Sequence, residues 1–103
     1  MTASKIAGLN KLMFVTCNTS YQLLGHTAVF CSFPGAEVGD RIIITAQEFL
    51  QLDINAPFDC AVVSSAKVSQ PDNVRIFVDD ACNPTPPPGI TIRATFAMIA
   101  YHE

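Results

Sequence analysis

The sequence predicts an all-β domain, a β-sandwich or jelly-roll-like fold of about seven to eight short antiparallel strands behind an N-terminal arm. Three observations lead there. Short apolar runs recur at fairly regular intervals, separated by turn residues. Val38-Gly39-Asp40 launches the run Arg41-Ile42-Ile43-Ile44, and Gln70-Pro71-Asp72-Asn73 turns one apolar run into the next. Residues 90–101 alternate two sets of side chains over a long stretch, the period of an extended chain.

The elements follow in order. Residues 1–11 read as an arm, because Thr2, Ser4, Gly8 and Asn10 hold regular structure poorly. Residues 12–17 are rich in strand formers. Asn18-Thr19-Ser20 reads as a turn, and residues 21–25 as loop or short strand. A strand over 26–33 ends at Pro34-Gly35, where proline offers no ladder donor. The apolar run 41–46 predicts a short central strand. Residues 47–54 fit neither helical nor strand period and predict an irregular connection. Residues 60–68 form a strand with small side chains at Ser64-Ser65-Ala66. Val74, Ile76 and Val78 alternate with Arg75, Phe77 and Asp79, which predicts a strand with one buried face and an out-of-place Phe77 on the other. Residues 79–89 are the longest break, with Pro86-Pro87-Pro88 favouring an extended surface loop. The last strand becomes apolar on both faces near its end, as a central or subunit-contacting strand would.

Composition sets bounds. A chain of 103 residues is a single domain on size, 1–11 as arm and 12–103 as sandwich. Half the residues are apolar and 15% are charged, against about 25% in an average soluble domain. That balance points to association with copies of itself or a permanent partner. The formal net charge is −3, and the six Lys and Arg are scattered, so phosphate-backbone recognition of nucleic acid is not expected. No run approaches the roughly twenty apolar residues of a spanning helix. The first residues lack the apolar core of a signal peptide, and no lipidation pattern is present, so neither membrane attachment nor secretion is expected. In that setting Cys17, Cys31, Cys60 and Cys82, which include no close pair, read as buried free thiols ahead of disulfides or a metal site.

No catalytic pattern emerges. There is no Gly-x-Ser-x-Gly, no paired metal-ligand spacing and no glycine-rich phosphate loop. His26 reads as a strand-edge side chain, and His102 is next to the last residue. Asp79 and Asp80 would point to opposite faces of a strand. An enzyme, a cofactor and a metal are therefore not expected.

Val38-Gly39-Asp40, then Val68-Ser69 with Asp72, Val74, Arg75 and Ile76, then Pro87-Pro88-Gly89-Ile90-Thr91-Ile92 together form an ordered pattern. It resembles a widespread group of small tailed-bacteriophage virion proteins, over roughly residues 27–101. Asp79-Asp80-Ala81-Cys82 stands where members of that group often carry Asn and Thr, and four cysteines are unusual there. The resemblance implies a trimeric β-sandwich on the virion: a capsid decoration (cement) protein made in the host cytoplasm, or part of a fibre or tail appendage. It implies the chain itself (as a homotrimer) and the major capsid protein as partners.

On this reading the arm contacts the shell through Lys5, Ile6 and Leu9, and Phe77, Ile99 and Tyr101 contact neighbouring copies. The alternative is a receptor- or carbohydrate-binding module using Tyr21, Phe49, Phe58 and Tyr101.

Overall fold

The computed structural model describes residues 10–23, 25–82 and 89–103. It is a β-sandwich of seven antiparallel strands: β1 (Lys11–Gln22), β2 (His26–Ser32), β3 (Arg41–Gln51), β4 (Ala56–Pro57), β5 (Ala61–Gln70), β6 (Asn73–Asp80) and β7 (Thr91–His102). One sheet has the order β1-β7-β3-β4, the other β2-β6-β5. Consecutive strands change sheet except at the hairpins β3–β4 and β5–β6.

The two middle strands carry the core, as alternation demands. From β7, Ile92, Ala94, Phe96, Met98 and Ala100 point inward, and from β6, Val74, Ile76 and Val78 meet them. Phe49 packs edge-to-face on Phe96 with ring centroids 5.7 Å apart, a geometry favoured by the ring quadrupoles. The expectation of a central final strand holds: β7 lies between β1 and β3.

Five expectations are corrected. Asn18-Thr19-Ser20 is not a turn: β1 runs on to Gln22, in unbroken register with β7 from Lys11↔His102 to Gln22↔Thr91. The side chain of Thr95 donates a 2.6 Å hydrogen bond to Asn18 Oδ1, so a residue type that favours turns is held in the ladder by its cross-strand neighbour. Residues 47–51 are not irregular either. A bulge at Thr45, between Ile44 and Ala46, shifts the facing of β3 just before the run; within it Phe49 faces inward with the polar Gln47 and Gln51 while Leu50 faces outward, so the apolar residues follow no single period. The same strand is flanked on its second edge only at Leu50 and Gln51, by β4, so it is central at one end alone. Strand β6 extends through Asp79 and Asp80, shortening the expected break. At the N-terminus, Lys11 belongs to β1, and Asn10 N–H donates to the His102 carbonyl at 2.9 Å. The rest of the expected arm, with Lys5, Ile6 and Leu9, and the prolines 86–88 lie outside the described residues.

The cysteines bring a sixth correction. Cys17 of β1 and Cys31 of β2 form a disulfide that ties one sheet to the other, with Cα atoms 5.9 Å apart. Cys60, just before β5, and Cys82, just after β6, form a second, with Cα atoms 5.0 Å apart. There is no free thiol. The partners are 14 and 22 residues apart in sequence, so only the stacking of the sheets and the return of the β5–β6 hairpin bring them together.

The two turns that stand out in the sequence also meet in space. Pro71 precedes Asp72, whose φ of 65° supplies the positive angle a type II turn needs at its third position. Asp72 then accepts from Phe33 N–H at its carbonyl (2.9 Å) and from Gly35 N–H at Oδ1 (2.7 Å), and donates its own N–H to Ala36 (2.8 Å). The hairpin tip thereby holds the loop that leads to Gly39 and Asp40.

Candidate interaction surface

The outer face of the four-stranded sheet is built by register. Leu12 pairs with Tyr101 and Phe14 with Ile99. On the other side of β7, Arg41 pairs with Tyr101, Ile43 with Ile99 and Ala46 with Ala97. Directly paired residues share a face, so Leu12, Phe14, Ile43, Ala97, Ile99 and Tyr101 form one apolar patch on the solvent side. Phe14 is 67% exposed and Ile43 47% exposed. From Leu12 to Gln22, β1 carries no charged residue. A contiguous exposed patch of this kind marks a contact surface more often than an isolated apolar side chain does.

Of the residues singled out from sequence, Ile99 and Tyr101 lie together in this patch, half-buried by their neighbours. Phe77 points outward as expected but from the other sheet, paired with Ala28 and Ser65. The three therefore do not form a single contact, because β6 and β7 belong to different layers. Phe14 and Ile43 were not singled out from sequence. Each sits in a run apolar on both faces, and only pairing with Ile99 reveals which face is outside.

The other outer face is different in chemistry. His26 bonds Asp79 through Nδ1 and stacks on Phe77, centroids 6.0 Å apart. The Arg75 guanidinium lies 5.0 Å from the centroid of the same ring, within cation–π range. Phe30, opposite Arg75 in the ladder, is 54% exposed.

At one end of the sandwich a buried carboxylate joins three parts of the chain. Asp40 Oδ2 accepts from Lys11 Nζ at 2.5 Å and from Glu37 N–H at 2.9 Å, and Oδ1 lies 3.3 Å from His102 Nδ1. Burial alone would raise the Asp40 pKa; the hydrogen bonds and charge of Lys11 and the Glu37 N–H outweigh it and hold the carboxyl below its ordinary range. For Lys11, burial works to lower the pKa, and the bonds to Asp40 and Glu37 overcome it and raise it.

At the opposite end the balance is less favourable. The Tyr21 hydroxyl is buried without a partner among the described residues, and burial, with the nearby Asp80 charge, pushes its pKa up. Burial likewise raises Asp80, against the pull of the Gly25 N–H (2.9 Å) and with the push of Asp79. A carboxyl raised in this way is less stabilising once ionised, so this end of the fold gains stability as pH falls through the Asp80 range. Replacing Tyr21 with Phe removes an unsatisfied buried hydroxyl and keeps the ring. The expected result is an unchanged or higher melting temperature, by up to about 1 kcal/mol of stability; a clear loss would show that the hydroxyl is satisfied.

Among the described residues no three His, Cys, Asp or Glu side chains converge as metal ligands would. Of the aromatic residues considered for sugar stacking, Tyr21, Phe49 and Phe58 are buried in the core; Tyr101 alone lies on an outer face. Comparison with family models, with curated proteins and with solved structures returns no match.

Proposed function

We propose that the chain is a structural protein of a tailed-bacteriophage virion, a capsid decoration subunit that assembles with copies of itself as a homotrimer and binds the major capsid protein. It is made in the host cytoplasm and acts on the capsid surface. The observation that carries the reading is the apolar patch around Phe14, Ile43, Ile99 and Tyr101 on one sheet face, with Arg41 at its edge. A protein that works by covering another surface needs such a face, and burial of aromatic and aliphatic anchors supplies most of the free energy of such contacts. The ordered turn-and-strand pattern shared with small phage virion proteins supplies the setting. The leading segment with Lys5, Ile6 and Leu9 is assigned to the shell contact.

Two measurements test it. Purified phage particles should contain this chain in fixed ratio to the shell protein, and the isolated chain should have the mass of a trimer in solution. Phe14→Lys should leave the melting temperature nearly unchanged, since surface substitutions shift stability by about 0.5 kcal/mol or less, and should reduce the trimer to monomer. A monomeric wild-type chain that does not bind capsids would end the proposal.

A further inference from the structure

The outer face of the three-stranded sheet carries an arrangement that the fold does not explain. Lys67 and Arg75 are direct cross-strand partners in the β5–β6 ladder, so their side chains share one face. Like charges directly opposite each other in a sheet repel. The usual remedy is a carboxylate nearby, and neither cation has one within the 4.0 Å of an ion pair among the described residues.

Arg75 is also held in place. Its guanidinium rests on the Phe77 ring, and its Nε–H is shut off from solvent with no acceptor among the described residues. Exposed Phe30 flanks it on the other side. The two cations open onto a concavity of about 440 Å³ that also includes Ser69, Val38 and Asp40. The Asp40 carboxyl does not neutralise them, because it is turned to Lys11 and His102.

We propose that this concavity, together with Phe30 beyond it on the far side of Arg75, binds an acidic polypeptide segment, with Arg75 and Lys67 receiving the carboxylates of Asp or Glu side chains and Phe30 packing against their aliphatic stems. Charge complementarity selects this occupant: two unpaired cations on an otherwise acidic molecule of net charge −3 call for anions. A pinned, planar guanidinium suits the two oxygens of a carboxylate. The aromatic flanks favour a peptide over a bare ion, since they offer contact area that an inorganic anion cannot use. The site lies on the opposite sheet from the apolar patch, so one face could engage copies of the chain and the other a partner. It rests on the decoration reading only for the identity of that partner as the shell protein; the chemistry stands without it.

The test uses the full chain and a hexaglutamate peptide. At low ionic strength, titration followed by amide chemical shifts should perturb Phe30, Lys67, Arg75 and Phe77. Binding should weaken steeply as salt approaches 0.15 M, where the screening length falls to about 8 Å. Lys67→Ser combined with Arg75→Leu should weaken binding by about tenfold or more, since each charge-assisted bond is among the strong ones. Arg93→Ser, on the other sheet, should leave it unchanged.

Lys67→Glu should both abolish binding and raise the melting temperature, because it turns a repulsive pair into an attractive one. That second readout keeps a folded variant in the comparison. Three results would overturn the proposal: no shift on adding the peptide, binding that survives the double substitution, or binding of inorganic phosphate with none of peptide. None of these touches the presence of the chain on phage particles, which tests the decoration reading separately.

Discussion

Replacing both Cys17 and Cys31 with Ala is expected to lower stability by about 3 kcal/mol, the chain-entropy value for a loop of this length. In a domain of this size about 1 kcal/mol moves the melting temperature by 4–8 °C, so the shift should exceed 10 °C. Two features make this pair the larger of the two disulfide effects. It crosses between the sheets, where no ladder hydrogen bond holds the layers together, and both residues are buried in the core. Cys60–Cys82 instead closes the open end of a hairpin already held by the β5–β6 ladder and by the Ala81 N–H bond to the Cys60 carbonyl at 2.7 Å. Thermal unfolding with and without a thiol reductant is the measurement. Four thiols that react with an alkylating reagent in the native, unreduced protein would contradict it.

The second large effect is at Asp40. Asp40→Asn keeps the shape but removes the buried charge that Lys11 was folded against, leaving a half-buried ammonium with only the exposed Glu37 carboxylate, 3.2 Å away, as counterion. Breaking a fully buried pair costs about 3–5 kcal/mol. The Asp40 side chain is 4% exposed but that of Lys11 is 19% exposed, so water softens the loss and about 2–4 kcal/mol is expected. The pH dependence follows from the shifts. Asp40 has its pKa below the ordinary 3.8 in the folded state, so its contribution is present above that value and is lost as pH falls through the folded pKa. Lys11 has its pKa above 10.5, so its contribution is complete below that value and is lost as pH rises through the folded pKa. The clamp is therefore intact across the neutral range and opens at both extremes. In Asp40→Asn the acid limb of the stability curve should flatten; an unchanged limb would show that the carboxylate is not the group being titrated.

Local signals made part of this molecule legible in the sequence. The two tight turns were readable because Pro71-Asp72 and Gly39 meet backbone requirements that few residues satisfy. Strands β6 and β7 were readable because an unbroken alternation survives along each. What escaped was whatever depends on pairing. Asn18 looks like a turn residue until Thr95 is opposite it. Residues 47–51 hide their strand character because the polar Gln47 and Gln51 share a face with Phe49 while Leu50 takes the other. The cysteines looked unrelated because sequence separation says nothing about two sheets stacked face to face. The candidate surface suffered most. Ile99, Tyr101 and Phe77 each face outward, but whether outward residues form one patch or two depends on which sheet each strand joins. That is a long-range fact with no local trace.

Strand β7, between β1 and β3 in the larger sheet, follows the other six described strands in the sequence. Lys11, in the first strand, finds its partner His102 only once the seventh strand has been made. Until β7 is made, β1 and β3 have no neighbour in common, and of the four-stranded layer only the short β3–β4 pairing can form. Folding of this layer must then wait for β7 and proceed through distant pairings, on the slow side of the range for domains this small. A premature stop anywhere before residue 91 would leave a polypeptide with two orphaned edges, fit for degradation or clumping but not for assembly.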